Sequence, residues 1–187
     1  MKEKNIIFMG TPSIAAEYLD VLIKHHIEIK GVFTQSPKKK FRGMRLSKSP
    51  VHLLAEKKKI NVYHPNNFDS EAISILKKIQ PHLIIVMAYG NILPKSVLEL
   101  PKFGCINIHV SILPRWRGAA PIEHTLMNGD KETGISIIKL VEKLDAGPII
   151  AQEKLTIPKN FNKLQLTHSL TTIGSRLLVK IIPKVLN

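Results

Sequence analysis

Leu83-Ile84-Ile85-Val86-Met87-Ala88 is apolar at every position, and no other segment constrains the chain as tightly. A strand with one wet face alternates apolar and polar side chains. A strand apolar on both faces must be covered on both, the usual state of a parallel strand between helices. Further strands are expected at residues 6–9, 27–33, 60–63, 104–110, 134–140 and 149–157. Helices are expected between them. Ile14, Ala15, Tyr18, Leu19 and Leu22 recur at helical spacing after Pro12. Thr11 is expected to cap that helix, with Pro12 as its first residue. Residues 50–58, capped by Ser49, and residues 70–79 and 119–127 read as helices, as does 161–182 with its stripe Leu166, Leu170, Ile173, Leu177 and Ile181. The chain is then expected to leave the helix at residues 183–187. The alternation predicts an α/β fold, Rossmann-like, with a mostly parallel sheet and helices on both faces. Ligands of such sheets bind beyond the carboxyl ends of the strands. Gly10, residues 87–90 and residues 107–109 stand at those ends.

The 187 residues suit one domain, expected to span 1–187. The apolar run at residues 6–10 is too short for a signal peptide, and no cleavage site follows, so a cytoplasmic protein with no membrane association is expected. Cys105 is the only cysteine, which excludes an intramolecular disulfide. The remaining histidines lack ligand-like spacing, and no metal is predicted.

Lys and Arg number 28 against 14 Asp and Glu, a formal charge of +14. The excess points to a polyanion such as nucleic acid or an anionic membrane, or to a lysine-decorated surface with no partner. Residues 34–49 read as a polar, basic connection. Six of the eleven positions from Lys38 to Lys48 are basic, with Phe41 among them. Lys38, Lys39, Lys40, Arg42 and Arg45 are candidate phosphate contacts; the alternative is a solvated loop.

Gly10-Thr11-Pro12-Ser13 lacks the further glycines of a dinucleotide fingerprint and the Lys of a P-loop. It reads as a tight turn into a helix, and a dinucleotide-dependent oxidoreductase is disfavoured. Asn107 and His109 are two apart on a strand and so share a face. An amide donor beside an imidazole suits stabilisation of an oxyanion. A polar strand end that bonds its own loops fits the spacing equally well. Asp145 has an ordinary reason to occupy a turn; its functional reading requires His109 nearby. Arg115 and Arg117 flank the only Trp, Trp116, in a Gly- and Pro-bearing loop suited to a planar or anionic ligand, or simply to connection.

Cys105-Ile106-Asn107-Ile108-His109-Val110-Ser111-Ile112-Leu113-Pro114-Arg115-Trp116-Arg117-Gly118-Ala119-Ala120-Pro121-Ile122 closely resembles the signature of the methionyl-tRNA formyltransferase family. The resemblance extends collinearly to residues 6–12, 31–35, 88–94 and 144–147. It implies transfer of the formyl group of 10-formyltetrahydrofolate to the amine of methionyl initiator tRNA in translation initiation. It implies Asn107, His109 and Asp145 as catalytic residues. It implies folate contacts at Ser111, Ile112, Leu113 and Pro114 and at Met87, Ala88, Tyr89 and Gly90, with backbone around residues 140–145 also lining the pterin pocket. The basic loop then reaches the tRNA acceptor stem, with Arg42 at its important position, and the enzyme acts as a monomer. Val110 departs from the family's usual Gly, Glu142-Lys143 from small or apolar residues, and Pro148 from a common acid. The family's C-terminal basic β-barrel domain is expected to be absent. Two other readings stay open: a folate-dependent formyltransferase for a sugar nucleotide or glycinamide ribonucleotide, and a catalytically weak RNA- or folate-binding remnant.

Overall fold

The computed structural model describes residues 4–40 and 45–187. The chain divides into two compact units, Met1–Cys105 and Ile106–Asn187.

The elements up to the boundary are β1 (Ile6–Gly10), α1 (Ser13–Lys24), β2 (Ile29–Phe33), β3 (Lys38–Lys40), β4 (Arg45–Ser47), α2 (Pro50–Lys57), β5 (Val62–Tyr63), α3 (Ser70–Ile79), β6 (Leu83–Met87) and α4 (Lys95–Leu98). Four strands pair in parallel in the order β5-β2-β1-β6. All five residues of β1 and of β6 are buried, as the unbroken apolar runs require. Each large side chain so buried contributes about 1.5–3 kcal/mol. Ala15, Tyr18, Leu19 and Leu22 form the buried face of α1. Gly10 permits this packing: a Cβ there would stand 2.8 Å from Ala15 Cβ and 2.9 Å from the Met87 carbonyl oxygen.

Two strands begin later than expected, for one physical reason. After α1, His26 turns left-handed (φ 57°) and the Ile27 N–H bonds back to the Leu22 carbonyl. After α2, Lys59 (φ 58°) and the bond from Ile60 N–H to Ala55 repeat the pattern. This is the Schellman C-cap, whose apolar residue belongs to the helix end. The N-terminus of α1 also differs. Pro12 is the N-cap and makes no side-chain cap bond, while the Thr11 hydroxyl donates to the Tyr89 carbonyl at 2.8 Å. Ser49 does cap α2, accepting the His52 N–H. The basic connection holds an antiparallel ribbon, β3–β4, pairing Lys38 with Ser47, Lys39 with Leu46 and Lys40 with Arg45. Arg42 lies outside the described residues. The short α4 was not expected at all.

The second part of the chain carries β7 (Cys105–His109), α5 (Pro121–Met127), β8 (Glu132–Lys139), β9 (Ile149–Thr156) and α6 (Lys163–Val185). Here β7 pairs with β8 and β8 with β9 in antiparallel fashion, whereas the pairs β5–β2, β2–β1 and β1–β6 of the first unit are parallel. An Asn162–Gln165 capping box starts α6. The helix continues through Pro183 to Val185. Ile181 and Ile182 are buried immediately before Pro183, and a proline this close to the end removes only one backbone bond. Among the described residues, no helix is long and apolar enough to cross a membrane.

Candidate active site

Alternation along β7 aims Asn107 and His109 to one side, and both approach Asp145. Asn107 is half-buried, while His109 and Asp145 are buried. Asp145 sits between β8 and β9 in the left-handed region (φ 44°), which Asp tolerates better than most residues. One carboxylate oxygen, Oδ2, accepts the Gly118 N–H at 2.8 Å and lies 3.6 Å from His109 Nδ1. The other, Oδ1, lies 3.4 Å from Asn107 Nδ2. The turn aspartate therefore acquires the histidine neighbour that its functional reading required.

His109 Nε2 lies 2.8 Å from the Trp116 carbonyl oxygen. A carbonyl only accepts, so Nε2 carries a proton. The Asp145 carboxylate stands on the Nδ1 side of the ring and the Trp116 carbonyl on the Nε2 side, so the ring is held in one orientation.

The loop that follows is fixed largely through Asp130, which the sequence did not single out. Trp116 is left-handed (φ 59°), which turns its carbonyl to His109. Its indole N–H donates to Asp130 at 2.7 Å. Arg115 grips the same carboxylate through Nε at 2.9 Å and Nη2 at 2.7 Å. The guanidinium also covers the indole, 4.2 Å from the ring, and His124 stacks near it with centroids 5.2 Å apart. Arg115 is thus committed to Asp130 and does not offer the free fork expected for an anionic ligand; Arg117 is exposed. Gly129 (φ 62°) ends α5 in another Schellman turn, whose Asp130 N–H to Thr125 bond delivers the carboxylate. The hydrogen bonds from Arg115 hold Asp130 below the ordinary carboxylate range.

Ser111 and Leu113 are buried, Ile112 is half-buried, and Pro114 is exposed. The Ser111 hydroxyl donates to the Arg115 carbonyl at 2.6 Å. Ser136 and Gln152 hold the same loop, and nothing marked them in advance except a serine within the apolar run of β8. In the first unit, Met87 ends β6. Ala88 (φ 47°) and Gly90 (φ 87°) are left-handed on either side of buried Tyr89. Burial pushes the Tyr89 phenol up to about 12. In the basic ribbon, Lys38 Nζ bonds Gln35 at 2.8 Å.

The sequence profile of the family described as Formyl transferase matches residues 4–182. Among curated relatives, the methionyl-tRNA formyltransferase of Wolbachia sp. subsp. Drosophila simulans (strain wRi) is 48% identical over 182 residues, covering 96% of this chain and 60% of the relative. That of Rickettsia prowazekii (strain Madrid E) is 44% identical over 183 residues, covering 97% and 60%. The chain spans about 60% of the length of these relatives. Among solved structures, phosphoribosylglycinamide formyltransferase from Bacillus halodurans superposes with a TM-score of 0.79 at 22% identity, covering 98% of this chain and 93% of that one. A formyltetrahydrofolate deformylase from Pseudomonas syringae gives 0.78 at 21%, covering 96% and 60%. These likenesses establish the fold.

Proposed function

The chain belongs to the formyl transferase family, and from that premise we propose that it transfers the formyl group of 10-formyltetrahydrofolate to the amine of methionyl initiator tRNA. The observation that carries this reading is the convergence of Asn107 and His109 on buried Asp145. An amide and an imidazole N–H suit an acyl transfer, in which negative charge develops on a carbonyl oxygen. The tRNA substrate is supported by relatives of that name at 44–48% identity over nearly the whole chain. The unbroken match over 4–182 supports one catalytic domain.

The neutral amine attacks the formyl carbon, and a C–N bond forms as the carbonyl oxygen becomes an oxyanion. Asn107 retains an amide proton beyond its long contact with Asp145 and donates it to that oxygen. His109 adds its Nε2–H by turning it from, or sharing it with, the Trp116 carbonyl. Asp145 orients the imidazole and assists the proton's move from the attacking nitrogen to the departing folate nitrogen. The bond to folate then breaks, and the formyl group remains on the amine. Residues 111–114 are assigned to the folate, supported by the fixed backbone path there. Residues 87–90 are assigned likewise. A non-glycine residue at positive φ, such as Ala88, costs on the order of 1–3 kcal/mol, and such outliers gather at ligand sites. The basic connection, with Lys38, Lys39, Lys40, Arg42 and Arg45 in its sequence, is assigned to the tRNA on its charge.

The test is formyl transfer by the purified chain with 10-formyltetrahydrofolate. Formylmethionyl-tRNA is the expected product, with no formylation of glycinamide ribonucleotide. Asn107→Ala and His109→Ala should each lower the rate about a hundredfold or more. Near-parental rates in both variants would remove the assignment.

A further inference from the structure

We propose that Ser136, braced by Gln152, is a positioning residue for the formyl-folate cosubstrate, setting the path of the Ser111–Leu113 backbone. The proposal rests on the folate role assigned above to that loop. Ser136 is fully buried on β8, in register with His109 of β7 on one side and Gln152 of β9 on the other. Its hydroxyl donates to the Ser111 carbonyl at 2.6 Å and accepts the Leu113 N–H at 3.0 Å. The Gln152 amide nitrogen donates to the same hydroxyl at 2.8 Å and to the Leu113 carbonyl at 3.1 Å.

A serine hydroxyl has one proton and two lone pairs. All three are used, and their roles cannot be exchanged: the Ser111 carbonyl only accepts, and the Leu113 N–H only donates. Two side chains therefore fix three main-chain groups of the loop in one arrangement. Gly134, two residues earlier on the same strand face, leaves the room this needs. A Cβ there would stand 2.5 Å from Ile112 Cδ1 and 2.1 Å from the Glu153 carbonyl oxygen. His109, Ser136 and Gln152 occupy one rung across β7, β8 and β9, so the residue that holds the loop and the residue proposed to meet the oxyanion share a backbone support.

A purely structural tie would lower stability and affect both substrates alike. A positioning role affects the folate selectively. In the full 187-residue chain, Ser136→Ala should raise the KM for 10-formyltetrahydrofolate about tenfold, as expected for buried groups left unpaired. The KM for methionyl-tRNA should stay within about twofold, since no tRNA contact is assigned to this rung. Ser136→Thr keeps the hydroxyl and should restore the parental folate KM. Gln152→Ala, at an exposed position, should shift it the same way by about threefold with an unchanged melting temperature. A parental folate KM in Ser136→Ala, or a parallel loss for both substrates, overturns the proposal. If Ser136→Ala does not fold, a parental folate KM in Gln152→Ala overturns it. A parent chain that forms no formylated product counts against the proposed function. Calorimetric binding of 10-formyltetrahydrofolate to the same variants then decides the positioning role separately.

Discussion

Asp145 makes three contacts at once: the Gly118 N–H, His109 Nδ1 and, more distantly, the Asn107 amide. An asparagine there retains an acceptor for Gly118 but loses the carboxylate proposed to orient His109 and to assist the proton's move. Asp145→Asn should therefore fold and melt like the parent while losing about a hundredfold in formyl transfer, measured in single turnover. Asp130 acts differently. Its hydrogen bonds with Arg115 lower its pKa in the folded chain, so its contribution to stability is present above the unfolded value and is lost as pH falls through the folded one. Parent and Asp130→Asn should differ in melting temperature at pH 7 and converge only as pH falls through the lowered folded value, beneath the ordinary carboxylate range. Asn107 and His109 were legible as a pair because strand geometry alone sets residues two apart on one face. Asp145 became meaningful only with a neighbour 36 positions earlier in the chain. Asp130 and Ser136 were not legible, because an ordinary turn aspartate and an ordinary strand serine acquire their roles from residues 14 and 25 positions away.

At the scale of elements, β1, β6 and α3 followed from composition and period because burial on both faces, or on one stripe, writes itself into every residue. The ribbon β3–β4 did not, because its lysines show no apolar alternation and its order comes from backbone pairing. The starts of β2 and β5 were misread for the opposite reason: Ile27 and Ile60 are apolar, but their N–H groups close helix ends. Capping makes a further test. Ser49 accepts the His52 N–H and lies 2.7 Å from the Thr34 hydroxyl, so it joins α2 to the residue that follows β2. Ser49→Ala should cost about 1–2 kcal/mol in denaturant unfolding. In the ribbon, Lys38→Ala should weaken tRNA binding and reduce its dependence on log salt by about one ion, uniformly across tRNA sequences.

For the molecule as a whole, a backbone likeness with a TM-score of 0.79 persists at 22% identity, so the architecture is carried by pattern and not by particular side chains. The α/β class was readable for that reason. The +14 charge bears on association instead. Affinity for tRNA should fall at least tenfold between 50 and 200 mM salt, on the order expected for several phosphate contacts, while folate binding changes little. Trp116 adds a practical property. It is the only tryptophan among 187 residues, its indole N–H is held by Asp130, and its carbonyl meets His109. Tryptophan emission from this chain thus arises at a single place, beside the proposed chemistry. Fluorescence excited at the red edge of the indole band, where the three tyrosines absorb little, becomes a native optical gauge of ligand arrival with no dye attached.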